Sequence, residues 1–271
     1  MRIYGVDFTS APRAGKPITV AVGDSQDDRL FISQVEKLPD FAAFERFLER
    51  PGPWVGGFDF PFGLSRQAVT DLAWPTAWTD LLTHCKNLGR PEFKRFLDAY
   101  RKSRPSGERY AKRRGDQASG AHPSVKLVNP PVGYMFLEGA PRLAAAGLHI
   151  PGLHAADALR VALEAYPGFL VRKQLAIRDS YKSDARREQT PARQAVRGRI
   201  LSELKAGRPL AIHLQFGERL DAEVIQDGTG DSLDAAICAA QAYWGFLRQA
   251  SNYGLPPDLD PLEGWIVTAL P

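Results

Sequence analysis

Residues 2–36 read RIYGVDFTSAPRAGKPITVAVGDSQDDRLFISQVE, and this stretch decides the fold class. It contains three short segments rich in β-branched and aromatic residues, at 2–8, 18–23 and 30–36. The intervening APRAGKP and DSQDD are typical of turns. The stretch therefore predicts three consecutive strands joined as an antiparallel meander.

Beyond the meander, strand and helix patterns alternate. The periodicity predicts a helix from Pro39-Asp40, a strand at 54–60, a strand at 160–166, helices at about 184–206 and 231–249, and a last strand at 264–268. Ala195 and Leu247 are among the predicted buried positions of the two later helices. This order predicts an α/β fold with a mixed sheet, in which parallel strands extend the meander and helices flank the sheet.

Residues at about 65–155 interrupt the alternation. Prolines and glycines recur there, 91–102 resembles a basic amphipathic helix, and 103–133 is polar and rich in turn formers. We therefore expect one domain over 1–271 that carries a large, mostly irregular or helical, basic insertion.

Composition narrows the class of protein. The chain is 44% hydrophobic and 24% charged, which excludes wholesale disorder and fibrous classes. Its two cysteines, Cys85 and Cys238, are too few for a disulfide framework. We expect no membrane association, because the sequence lacks an apolar run of about 18 residues, and a cytoplasmic location, because the first residues lack a signal-peptide core.

The net charge of +4 is unevenly distributed. Residues 94–114 and 172–208 each carry +7, so the rest of the chain carries −10. Two basic stretches set against an acidic remainder indicate an anionic partner, although two solvated, arginine-rich helices would give the same pattern.

Five acids occupy unusual positions. Asp7 and Asp59 each lie near the end of an apolar strand, where aspartate is disfavoured, although either one would also suit a turn. Asp231 and Asp234 share one face at the start of the clearest helix, where helix capping is the alternative explanation. Glu164 stands in an apolar strand and would face solvent by simple alternation.

Taken together, the acids predict an oxygen-rich pocket. Carboxylates converging from strand ends and a helix start suit Mg²⁺ or Mn²⁺. Such a pocket supports phosphoryl transfer by one or two metal ions.

The same segments resemble a known family. The sequence is similar to domain-of-unknown-function family 429, described as predicted ribonuclease H-like nucleases, in GVDFTSAP at 5–12, GFDFPFGL at 57–64, EAYPGFL at 164–170, YK at 181–182, GDSLDAAICA at 230–239 and EGWI at 263–266. These pieces are short but span nearly the whole chain.

The resemblance implies a ribonuclease H-like fold and a metal-dependent nuclease or related phosphodiester hydrolase. It implies Asp7, Asp59, Asp231 and Asp234 as catalytic metal ligands, and Glu164 as a further catalytic residue that matches a family motif. We expect phosphate-binding residues in the basic stretches, namely Lys182, Arg186, Arg187, Arg113 and Arg114. The expected partner is nucleic acid or another phosphoester.

Two other functions stay open at this point. An ATP-dependent phosphotransferase of the actin or sugar-kinase type shares the core, and DFTS at 7–10 and DGTGD at 227–231 are loosely compatible with it. A non-catalytic nucleic-acid-binding protein would also use the basic stretches, but it would have less need of four acids.

Overall fold

The computed structural model describes residues 1–269, which form an α/β structure with one mixed sheet. The strands are β1 (Arg2–Asp7), β2 (Ile18–Gln26), β3 (Arg29–Leu38), β4 (Trp54–Phe58), β5 (Leu148–His149), β6 (Asp157–Glu164) and β7 (His213–Phe216). Their order across the sheet is β5-β6-β4-β1-β2-β3-β7. The pairs β1–β2 and β2–β3 are antiparallel and the other pairs are parallel, so the meander and the mixed sheet are confirmed.

Helices cover both faces of the sheet. They are α1 (Phe41–Leu48), α2 (Arg66–Asp71), α3 (Trp78–Ser103), α4 (Arg114–Ser119), α5 (Val132–Ala145), α6 (Pro167–Phe169), α7 (Pro191–Lys205), α8 (Leu220–Gln226) and α9 (Asp231–Phe246). A π-helical stretch, Leu170–Gln174, continues α6, and two 3₁₀ turns cover Arg186–Glu188 and Gln249–Gly254. No helix within residues 1–269 is both long and apolar enough to cross a membrane.

Four details differ from the sequence-based prediction. Helix α7 begins only after Thr190, whose hydroxyl accepts a hydrogen bond from the Arg193 amide, and Ala195 is exposed because the buried face of α7 carries Arg197 instead. Leu247 lies just beyond α9 and is half exposed. The predicted last strand is wrong, since Ile266 makes only an isolated bridge to Glu164.

Alternate residues of β1 face opposite sides of the sheet. Tyr4 and Val6 pack in the core shared with α1 and the insertion, whereas Ile3 packs in the core shared with α9. Gly5 lies on the α9 side, where a Cβ atom would be 2.0 Å from the Ala235 carbonyl oxygen. Glycine therefore lets the α9 backbone lie directly on the centre of the sheet.

Helix α9 is surrounded by protein over almost its whole length. Every residue from Asp231 to Gly245 is buried, including both acids of its first turn. A helix buried on all sides is a central element of the fold and not a surface amphipathic helix.

Residues 65–155 pack against the opposite face of the sheet. Helices α2, α3, α4 and α5 lie in this segment, so it is more helical than the sequence predicted. Phe93 of α3 and Phe136 of α5 are fully buried in the same core cluster as Phe58 of β4. Helix α3 bends at Gly89, which has φ of +65° and lies two residues before Pro91.

Candidate acidic pocket

A pocket of about 620 Å³ opens at the ends of β1 and β4 and at the start of α9. Asp7 closes β1 and Asp59 follows β4, and the parallel register pairs Val6 with Phe58. The Asp59 amide continues this ladder by donating a hydrogen bond to the Val6 carbonyl over 2.9 Å. The two aspartates are therefore neighbours at the carboxyl ends of two adjacent strands. Alternation along each strand places both side chains on the α9 side of the sheet, as it does for Gly5.

The first turn of α9 brings Asp231 and Asp234 to the same pocket. The first turn of α9 is capped by Asp227, whose carboxylate accepts hydrogen bonds from the Ser232 amide at 3.0 Å and the Ser232 hydroxyl at 2.7 Å. Gly230 is the residue before the helix and has φ of +77°. Asp231 and Asp234 are thus not the capping residues of α9, although as acids of its first turn they complement the helix dipole.

The four aspartates differ in how they are bonded. Within residues 1–269, the carboxylates of Asp7, Asp59 and Asp231 accept no hydrogen bond from the protein, so neither strand-end acid caps a turn. Both carboxylate oxygens of Asp234 are engaged, one by the Tyr181 hydroxyl at 2.6 Å and the other by the Lys182 ammonium.

Burial and mutual repulsion work against ionisation of the free carboxylates. Burial, followed by the charge of Asp231, raises the pKa of Asp7 well above its usual value. Burial likewise raises the pKa of Asp59 to about 7, although Lys182 opposes this change. Burial also opposes the charged form of Lys182, but Asp234, Tyr181 and Asp7 together outweigh it and raise the pKa of the lysine. Ionisation of these carboxylates is therefore unfavourable without a further cation, and a cation bound in the pocket would favour their charged form.

The free carboxylates are the oxygen donors that this pocket offers to a divalent metal ion. Within residues 1–269, no three acidic, histidine or cysteine side chains are placed so that they could hold a metal ion together. Mg²⁺ does not require three protein ligands, since it commonly keeps several waters and binds through one or two carboxylates and substrate phosphates. One or two of the carboxylates of Asp7, Asp59 and Asp231, completed by water, suit a hydrated Mg²⁺ or Mn²⁺ of this kind.

Glu164 has a different environment from the four aspartates. Leu163 belongs to the α9 side of the sheet, so the next residue, Glu164, points to the opposite side. It is only 3% exposed, which contradicts the solvent-facing alternative. Its carboxylate accepts two hydrogen bonds from Arg113, at 2.6 and 2.8 Å, and one from the Phe62 amide at 2.9 Å. Glu164 lines the pocket but serves mainly to bind Arg113.

The expectation that Arg113 binds phosphate is wrong. Its guanidinium is buried and all five N–H donors are used within the protein. They bind Asp116, Glu164 and the Glu263 carbonyl oxygen. No donor remains for a phosphate, and Arg113 instead ties the insertion to the end of β6.

The other predicted basic residues separate into two groups. Lys182 lines the pocket, whereas Arg114, Arg186 and Arg187 are not among its described lining residues. Arg114 instead pairs with Asp258 at 2.7 Å, and Arg186 and Arg187 lie in an exposed 3₁₀ turn. Of the basic residues at 172–208, only Arg172 and Lys182 are among the described lining residues, whereas Arg193 and Arg208 pair with acids of the same stretch, Glu188 and Glu203.

Sequence reasoning missed several residues of the pocket. Lys16, paired with Asp184, and Arg172, which is exposed, add positive charge to it. Tyr181 was not singled out, although it is adjacent to Lys182 in the YK pair. The insertion contributes His122 and Met135 to the pocket wall. The sequence carries no short-range signal for these residues, because each reaches the pocket through long-range packing.

No family model, curated protein or solved structure matches the chain. Function is therefore inferred from the chemistry of the acidic pocket.

We expect Asp59→Asn to change how stability depends on pH in the absence of metal. Asp59 has a pKa of about 7 in the folded protein and about 3.9 when unfolded, so the folded state binds its proton more tightly. Stability from this group is present below pH 4 and is lost as the pH rises through 7. Asparagine removes this loss, so the variant should be more stable than the parent at pH 8.5, by about 2–4 kcal/mol, and should differ little at pH 4.

Urea unfolding in EDTA at the two pH values measures this difference. Asp24→Asn is the control, since Asp24 is an exposed acid at the other end of the sheet. An Asp59→Asn effect of the same size at pH 4 and pH 8.5 would contradict the prediction.

Proposed function

We propose that the chain is a metal-dependent phosphodiester hydrolase that acts on nucleic acid, and that its fold is ribonuclease H-like. The observation that carries the proposal is the convergence of three carboxylates without protein donors, those of Asp7, Asp59 and Asp231, in one pocket. Asp231 is buried and Asp7 and Asp59 are partly buried, and acids grouped in this way without donors are unfavourable unless a cation or substrate compensates them.

The placement of the acids supports the fold proposal. In the ribonuclease H-like superfamily, one acid lies on the first strand of a meander, one on the fourth strand and one or two on the last core helix. Here Asp7 ends β1, Asp59 follows β4, and Asp231 and Asp234 begin α9. The parallel pairing of β1 with β4 and the packing of α9 on Gly5 bring these positions together.

The chemistry of the acids and the neighbouring cations supports the reaction. A bound Mg²⁺ or Mn²⁺ would supply Lewis acidity and a more acidic water. One or two of Asp7, Asp59 and Asp231 would hold it together with water, because their carboxylates line the pocket without protein donors. Lys182 and Arg172 provide positive charge at the pocket wall, where they would bind and orient the phosphate of the substrate.

The alternative functions receive less support. In a phosphotransferase, DGTGD at 227–231 would bind nucleotide, but Asp227 binds Thr229 and Ser232 and closes this turn on the start of α9. A purely binding protein would leave the free carboxylates without a role. Stabilisation by ATP without hydrolysis of any nucleic acid would favour the phosphotransferase, and binding that persists in EDTA without turnover would favour the binding protein.

Asp7→Asn tests the proposal. We expect Mn²⁺-dependent cleavage of a mixed set of single- and double-stranded DNA and RNA by the parent, and at least a 100-fold lower rate for the variant, since it removes an anionic ligand. Cleavage is followed on gels with Mn²⁺, with Mg²⁺ and with EDTA.

Asp24→Asn is the matched control for this experiment as well, because it makes the same substitution on the neighbouring strand far from the pocket. Cleavage that survives EDTA, or that is equal in Asp7→Asn and the parent, would refute the proposal.

A further inference from the structure

The segment that carries Lys182 is fixed to the protein by its backbone. The Tyr181 carbonyl oxygen accepts a hydrogen bond from buried Arg197 at 2.7 Å. The Ser183 amide donates to the Gly228 carbonyl oxygen at 3.2 Å. The position of Lys182 is therefore set on both sides, unlike that of an ordinary surface lysine.

The lysine stem is also held at the start of α9. A Cβ atom on Gly230 would lie 2.6 Å from the Cβ of Lys182, so the stem passes directly over this glycine. The ammonium then reaches Asp234 one turn inside the helix, while the side chain remains 43% exposed. The lysine thus connects the buried acid with the open part of the pocket.

Asp231 and Asp234 lie one helical turn apart but have different environments. Asp234 is fully buried, and both its oxygens are engaged by Tyr181 and Lys182. Asp231 is 7% exposed, lines the pocket, and accepts no hydrogen bond within residues 1–269. A carboxylate whose oxygens are both occupied is a poorer metal ligand than a buried carboxylate whose oxygens are free.

We propose that the pocket takes one divalent cation, that Lys182 is its fixed second positive charge, and that Asp234 is a positioning residue for this lysine. The cation would be bound by Asp231 and one of the other two free carboxylates, Asp7 or Asp59, with water completing its coordination. This inference rests on the proposed function, because it assumes that the pocket binds a divalent cation.

The proposed role of Lys182 corresponds to that of the second metal ion in two-metal sites. There, the two ions lie about 4 Å apart and stabilise the attacking and leaving oxygens. An ammonium offers a compact point charge with three donors, which suits a phosphate oxygen without supplying an activated water. Lys182 would therefore take over charge stabilisation, and the single cation would activate the water.

Counting bound Mn²⁺ tests this assignment without measuring activity. Free Mn²⁺ is followed by electron paramagnetic resonance during titration of the full chain. We expect one site in the parent, at least a tenfold weaker site in Asp231→Asn, and a site within about threefold of the parent in Asp234→Asn. Lys182→Met should bind Mn²⁺ at least tenfold more tightly or acquire a second site, because the competing charge is gone.

The control for Lys182→Met is Lys86→Met, which removes an exposed lysine of α3 that does not line the pocket and should leave Mn²⁺ binding unchanged. If Asp234→Asn fails to fold, Tyr181→Phe removes the other hydrogen bond to Asp234 and should also leave one site of nearly unchanged affinity.

The outcomes separate the two proposals. Two Mn²⁺ sites in the parent, or equal weakening by Asp231→Asn and Asp234→Asn, would overturn the role given to Lys182 and leave the metal-dependent hydrolase standing. Absence of Mn²⁺ binding in the parent and in every variant would overturn the proposed function and this inference together.

Discussion

Replacing Arg113 with methionine should destabilise the protein by about 3–5 kcal/mol, the range expected when one partner of a buried ion pair is removed. Arg113 is 2% exposed and contacts two buried acids, Asp116 and Glu164. Methionine is unbranched and replaces the apolar stem of arginine but carries no charge, so both carboxylates would remain buried without their cation. The loss of five hydrogen bonds adds to this cost.

Arg114→Met is the matched control, because it makes the same change at the adjacent position. Arg114 is 50% exposed and pairs with an exposed partner, Asp258, so its removal should cost less than about 1 kcal/mol. Urea unfolding of the parent and the two variants measures the difference. A cost below 1 kcal/mol for Arg113→Met would show that the buried ion pair contributes little to stability.

The second large effect is expected from Gly5→Ala. Its new Cβ would lie 2.0 Å from the Ala235 carbonyl oxygen and 2.2 Å from the Ala239 amide nitrogen. Both are backbone atoms of α9 and have no rotamer to change, so the whole helix would have to move. We expect a cost of about 3 kcal/mol or more, at the upper end of the range for overpacked cores.

Gly15→Ala is the control for this change, since no atom lies within 4 Å of its added Cβ. It should change the free energy of unfolding by no more than about 0.5 kcal/mol. Because α9 carries Asp231, folded Gly5→Ala protein should also bind Mn²⁺ more weakly than the parent. Equal stability of the two glycine variants would mean that α9 does not rest on Gly5.

The sequence predicted the parts of the fold that depend on local pattern. The meander follows from three β-rich segments with turn formers between them, and α9 follows from the helical spacing of Leu233, Ile237 and Ala240. The sequence also predicted that Asp7 and Asp59 lie close together, because each stands at the end of an apolar strand. Strand β7, with only four residues, was missed because so short a segment has too few residues to show a period.

The parts that escaped prediction depend on partners far apart in the chain. Arg113 is 51 positions from Glu164, and Lys182 is 52 positions from Asp234. Charge patterning identified the basic stretches but gave no information on which of their cations are already neutralised. The face of the sheet to which Glu164 points depends on its position in the alternation along β6. An error of one residue in the predicted register would place it on the opposite face.

The arrangement of α9 over the sheet has a consequence for synthesis of the chain. The seven strands within residues 1–269 all lie before residue 217, whereas α9 begins at Asp231. A nascent chain that has emerged from the ribosome only as far as Gly230 therefore exposes the apolar sheet surface around Ile3 and Val55 to water or to chaperones. The acidic pocket is completed only when α9 leaves the exit tunnel, so Asp231 joins Asp7 and Asp59 late in translation.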